Sequence, residues 1–84
     1  MPNPAIENCR VSFSAARDVA ARVEVFDVLG RSVRELLDDR VAAGTRELVW
    51  DLRDRAGRRV VPGVYLLRVR LGNELEARTL VVRR

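Results

Sequence analysis

The chain has 84 residues, enough for one modest hydrophobic core and too few for two. Its formal charge is +4, and the 16 basic residues, all arginine, are interleaved with 12 acids, which excludes a polybasic tail. Histidine is absent and Cys9 is the lone cysteine, so an internal disulfide and histidine-based catalysis are both excluded.

Alternation of apolar and polar residues runs through the chain and predicts strands. Cys9, Val11 and Phe13 share one face of a first strand, with Arg10 and Ser12 on the other. Residues 14–20 read as a connection. Val23 and Val25 then alternate with Arg22 and Glu24, and the strand runs through Phe26 into Asp27-Val28-Leu29-Gly30-Arg31-Ser32-Val33. The same Asp-x-x-Gly-Arg-x-Val pattern recurs at Asp54-Arg55-Ala56-Gly57-Arg58-Arg59-Val60. An Asp opening a turn accepts hydrogen bonds from backbone N–H groups just ahead of it, and a Gly three residues later takes the positive φ that residues with a Cβ resist. Both copies therefore predict tight reversals, with a bulge at each Gly.

After the first reversal, Leu36-Leu37 breaks alternation and predicts a bulge or a strand end. Asp38-Asp39-Arg40 with Ala42-Ala43-Gly44 reads as the next loop. Arg46, Leu48 and Trp50 share a parity, and Trp50 is the best candidate for the centre of the core. Past the second reversal, Pro62 cannot donate to a ladder, so residues 60–63 read as an edge or a crossover, with Gly63 as a turn residue. Tyr65, Leu67, Val69 and Leu71 form the cleanest inward face. Gly72-Asn73 marks the last reversal, into residues 75–82. A three-residue loop there sets Val69 against Ala77 and Leu71 against Leu75; a two-residue loop sets them against Glu76 and Glu74. Apolar pairing favours the three-residue loop. The predicted core is Phe13, Val23, Val25, Trp50, Tyr65, Leu67 and Val69. Roughly seven short strands with turns between them predict an all-β, antiparallel, immunoglobulin-like sandwich, one domain over residues 1–84.

Chemistry-bearing constellations are sparse. Asp27, Asp51 and Asp54 have oxygen ligands that suit calcium, but the spacing matches no defined calcium loop, and capping of their own turns accounts for them. A glycosidase pair from Asp51 and Asp54 would need a cleft that so small a sandwich rarely offers. No Ser has a base beside it, and no cofactor pattern is present, so the chain reads as a non-enzyme without a cofactor. Arg53, Arg55, Arg58 and Arg59 form a dense basic loop that could meet an acidic glycan. Single-strand nucleic-acid binding also needs exposed aromatics, and Phe13, Trp50 and Tyr65 all fall on inward parities, leaving Phe26 alone outside. Nucleic acid is accordingly not an expected partner. The longest apolar stretch, residues 60–67, contains Pro62 and Gly63 and is too short to span a membrane. The N-terminus carries no signal-peptide pattern.

The order of motifs is more specific than any one of them. Pro2-Asn3-Pro4 is followed by Val11-Ser12-Phe13, Val23-Glu24-Val25-Phe26 with the first Asp turn, Ala43-Gly44, Val49-Trp50-Asp51, the second Asp turn, and Val60-x-x-Gly63-x-Tyr65. Over essentially its whole length the chain resembles the immunoglobulin-like domains of the flagellar hook-capping family. It resembles even more the related C-terminal sorting domains of type IX secretion in Bacteroidota and neighbouring phyla. The resemblance implies a domain that ends a longer exported protein, reaches the surface or medium via the periplasm, and is recognised by outer-membrane secretion machinery. The resemblance also implies removal of the domain by a protease, with the cargo either released or attached to surface lipopolysaccharide. By position, Pro2, Asn3 and Pro4 mark the junction with the cargo. Arg78, Leu80, Val81, Val82, Arg83 and Arg84 match the terminal segment that carries sorting information. The family often has Lys where Thr79 stands and Gly where Leu52 stands; the second departure is expected to alter a loop rather than the fold. A structural assembly module of the hook-capping type and an adhesive or glycan-binding accessory domain are the alternatives.

Overall fold

A computed structural model describes residues 7–83. Six strands follow one another along the chain: β1 (Cys9–Ala15), β2 (Val19–Asp27), β3 (Ser32–Val41), β4 (Gly44–Trp50), β5 (Gly63–Leu71) and β6 (Glu74–Val82). They form two antiparallel sheets, β1-β4 and β3-β2-β5-β6, packed face to face as an immunoglobulin-like sandwich. The expected count of about seven strands falls to six among the described residues. Leu36 and Val33 are absorbed as unpaired bulge residues within one continuous β3, since Val23 pairs with Leu37, Glu24 with Glu35, Val25 with Arg34 and Phe26 with Ser32. Residues 51–62 hold only an isolated bridge, Arg53 to Arg59.

The core is built by the predicted alternation. Cys9, Val11, Phe13 and Ala15 of β1 and Trp50 of β4 face Ala21, Val23 and Val25 of β2, Tyr65, Leu67 and Val69 of β5, and Leu80 and Val82 of β6. All seven predicted core residues are buried. Trp50 meets Tyr65 edge to face, with ring centroids 5.7 Å apart, and its Nε1–H donates to the Arg53 carbonyl at 3.0 Å. The Tyr65 hydroxyl donates to the Val61 carbonyl at 2.5 Å, a tyrosine corner that pins the crossover to the start of β5.

Four expectations need correction. Residues 38–41 are not loop: β3 runs through Val41, and its turn into β4 is only Ala42-Ala43. Nor are residues 14–20 all connection, since β1 extends to Ala15 and β2 begins at Val19. The last hairpin takes the two-residue loop, with Val69 paired to Glu76 and Leu71 to Glu74. Gly72 at φ +61 supplies the first central position of a type II′-like turn, and at this end of β6 there is little core to satisfy. Arg78 instead pairs with Glu76 at 2.7 Å and donates to the Ser12 carbonyl at 2.6 Å, spanning the seam between β6 and β1 with polar contacts. Finally, Leu52 is more than a loop variant. It sits at φ 61, the reason Gly suits this position, yet its side chain is 0% exposed in the core.

Both Asp turns form as expected, and nearly identically. Asp27 Oδ1 accepts from the N–H groups of Leu29 (2.9 Å) and Arg31 (3.0 Å), and Asp54 Oδ1 from those of Ala56 (2.9 Å) and Arg58 (3.0 Å). Gly30 and Gly57 sit at φ +82 and +83, and a Cβ added at either would meet nothing within 4 Å. Any cost of a side chain there is therefore conformational. Gly30→Val or Gly57→Val is expected to destabilise the domain by about 1–2 kcal/mol, read as a lower thermal midpoint. Unchanged melting of both variants would contradict the turn assignment.

Candidate functional site

Topology gathers one end of the sandwich. The start of β1, the end of β6, the β2–β3 turn and residues 51–62 all lie there, because Cys9 pairs with Trp50, Asp27 with Tyr65 and Gly63 with Val82. Asp54-Arg58 sits beside Asp27-Arg31, joined by the Arg55 N–H donating to the Val33 carbonyl at 3.1 Å. Between the turns runs an open groove of about 830 Å³, with Tyr65 and Gly63 in its lining.

The carboxylates here serve the backbone. Asp27 Oδ2 accepts from Arg31 Nε at 2.9 Å, and Asp51 Oδ1 accepts from the Arg53 N–H and from Arg34 Nη1, both at 3.0 Å. The Asp27 carboxyl is held below the usual range, chiefly by the Arg31 N–H; desolvation opposes this, and the Arg31 guanidinium and the Leu29 N–H add to the lowering. A depressed carboxyl stabilises the fold above its unfolded pKa and ceases to do so as pH falls through the folded value. The stability difference between the wild type and Asp27→Asn is therefore expected to shrink as pH falls from about 5 to about 2, followed by urea unfolding. A difference independent of pH would contradict the role given to Asp27. Among the described residues no group of three or more metal-ligating side chains converges. Burial pushes the Cys9 thiol up, which leaves it a core residue rather than a nucleophile.

One polar centre was not foreseen. Glu24, on the outward parity of β2, is only 4% exposed. Ser32 Oγ donates to its Oε2 at 2.5 Å, with Arg55 at 3.4 Å, while Arg68 approaches Oε1 at 3.2 Å and Arg22 at 3.6 Å. Arg55 also contacts Ser32 Oγ. The carboxylate thus ties the second turn to the first hairpin. Alternation alone gives no sign of this, because three of the partners come from other segments and meet only through the sheet register. Arg68 also lies 4.6 Å over the ring of Phe26, the outward aromatic.

The terminal segment divides by parity. Leu80 and Val82 are buried in the core, Val81 is half-buried on the outer face, Arg83 is exposed, and Arg78 spans the β6–β1 seam. Arg84, and Pro2, Asn3 and Pro4 of the cargo junction, lie outside the described residues. Among the described strands, β6 stands at the end of its sheet, beside β5. No helix among the described residues is long and apolar enough to cross a membrane.

Comparison with solved structures places the fold. PorU of Porphyromonas gingivalis, in a dimeric latent form, superposes with a TM-score of 0.75 at 24% identity, over 96% of this chain and 8% of that one. PorZ of the same organism, described as an essential surface component of its type IX secretion system, gives 0.67 at 23% identity over 99% and 11%. FlgD of Pseudomonas aeruginosa gives 0.71 at 22% identity over 89% and 61%. The chain spans less than two thirds of each of these proteins, and at such identities the likeness is one of fold. No curated protein matches it. The sequence profile described as the secretion system C-terminal sorting domain matches residues 1–83, essentially the whole chain, and the chain therefore belongs to this family of sorting domains that direct exported proteins through type IX secretion to the cell surface or the medium.

Proposed function

We propose that the chain acts as the non-catalytic C-terminal domain of a longer exported protein, docking as a folded sandwich on outer-membrane secretion machinery after reaching the periplasm. The family match over residues 1–83 is the observation that carries this reading. Its architecture fits, since the described carboxylates are committed to turns and to arginines rather than to a reactive cleft. The family match by itself lends no support to a surface lipopolysaccharide partner.

Recognition at the terminal segment works through what the fold leaves accessible. Leu80 and Val82 are spent on the core, so a receptor meets the outward face of this segment, on which Val81 is half-buried and Arg83 exposed. Exchanging Arg83→Ala together with Arg84→Ala removes charge without touching the core. We expect it to reduce export of a fused reporter severalfold while melting stays unchanged. Normal export of the folded double variant would remove these arginines from the recognition surface.

A further inference from the structure

The two Asp turns make the same backbone hydrogen bonds, yet they differ at their central positions: Val28-Leu29 in the first, Arg55-Ala56 in the second. Turn formation therefore does not require apolar side chains at the first tip. Nevertheless Val28 and Leu29 are 67% and 74% exposed, and across the groove Val61 is 74% exposed. These are the three most exposed large apolar residues among those described, and all three line one groove. Scattered exposed apolar residues need no explanation, but convergence on a single concavity does.

The charge of the groove points to its occupant. Four arginines, Arg31, Arg55, Arg58 and Arg59, line it against two carboxylates, Asp27 and Asp54, which engage both their own turns and the guanidinium groups of Arg31 and Arg58. The lining thus carries an excess of positive charge. It is also held in shape before any partner arrives: the Glu24–Arg55–Ser32 contacts and the Tyr65 hydroxyl bond fix the spacing of its walls. We propose that this groove is a docking site for an extended segment of a partner protein that alternates acidic and apolar side chains. The apolar groups would cover Val28, Leu29 and Val61, and the acids would meet the arginines. This goes beyond the terminal-strand reading, because no residue of β6 lines the groove and the site would stand if Arg83 and Arg84 proved dispensable.

The test is selection of short random peptides displayed on phage against the immobilised 84-residue chain. Enrichment of acidic–apolar sequences is expected, with binding of the synthesised peptides weakened about tenfold or more by Val28→Ser with Leu29→Ala, which removes apolar burial while keeping Asp27 and Gly30. Val61→Ser, in a separate segment, should weaken the same peptides, and unchanged melting of both variants excludes unfolding as the cause. No enrichment, enrichment of basic sequences, or equal binding to the variants would overturn the proposal. Sedimentation with vesicles of phosphatidylglycerol and phosphatidylcholine supplies a further arm. Vesicle binding that depends on Val28 and Leu29, without peptide enrichment, would overturn it in favour of a lipid surface.

Discussion

Replacing Trp50 by Ala is expected to bring the domain close to its unfolding limit. The side chain is 0% exposed, packs edge to face on Tyr65, and donates its indole N–H to the Arg53 carbonyl that closes the loop after β4. Truncating a buried Trp removes transfer energy and leaves a cavity, together about 3–5 kcal/mol. A single small domain has roughly 5–10 kcal/mol in all, so little would remain. The thermal midpoint should fall by about 15 °C or more. Trp50→Phe, which keeps an aromatic ring against Tyr65, should fall much less. A small shift for the alanine variant would contradict the placement of Trp50 at the centre of the sandwich.

Leu52→Gly sets two effects against each other. The φ of 61 costs a residue with a Cβ about 1 kcal/mol, which Gly would relieve. Losing a side chain that is 0% exposed costs about 2–5 kcal/mol, and Gly adds flexibility to the unfolded chain. Burial wins, and the net expectation is destabilisation by about 2–3 kcal/mol. The change installs the residue that relatives often carry, so a gain in stability would be the natural guess from resemblance alone. Should denaturant unfolding show that gain, backbone strain would outweigh the packing of Leu52, contrary to the account here.

These two positions show what the sequence makes legible. Trp50 stands out because it is a large aromatic sharing parity with Leu48 at the end of an alternating strand, and period-2 alternation is a strong signal when one face is buried. The Asp-x-x-Gly-Arg turns are legible for a similar reason: their hydrogen bonds are local, running from Asp27 and Asp54 to groups two and four residues ahead. Leu52 is different. Nothing local announces that a loop residue with positive φ turns back into the core. Apolar pairing predicts the wrong loop for the last hairpin because the apolar face does not extend along all of β6: Glu76 and Arg78 close the seam to β1 with charge. Glu24 hides among valines, and its burial depends on Ser32, Arg55 and Arg68 arriving from three other segments, with Arg22 of its own strand beside it.

The proposed recognition surface follows the same division. Parity sorts the terminal segment into core and surface, placing Leu80 and Val82 inside and Val81 and Arg83 outside, but the receptor's side of the contact is written elsewhere. The groove between the turns shows up only once both turns are seen side by side, since Asp27 and Asp54 stand 27 positions apart and the contacts that join the turns, from Arg55 to Val33 and Ser32, are long-range.

Transfer of sorting to an unrelated protein tests the central claim most directly. Residues 1–84 would be fused behind a reporter carrying a signal peptide, in a bacterium with type IX secretion, with that host's own sorting domain as positive control. The account predicts reporter at the cell surface or in the medium. Reporter held in the periplasm, with the control exported and the fused domain folded, would contradict it.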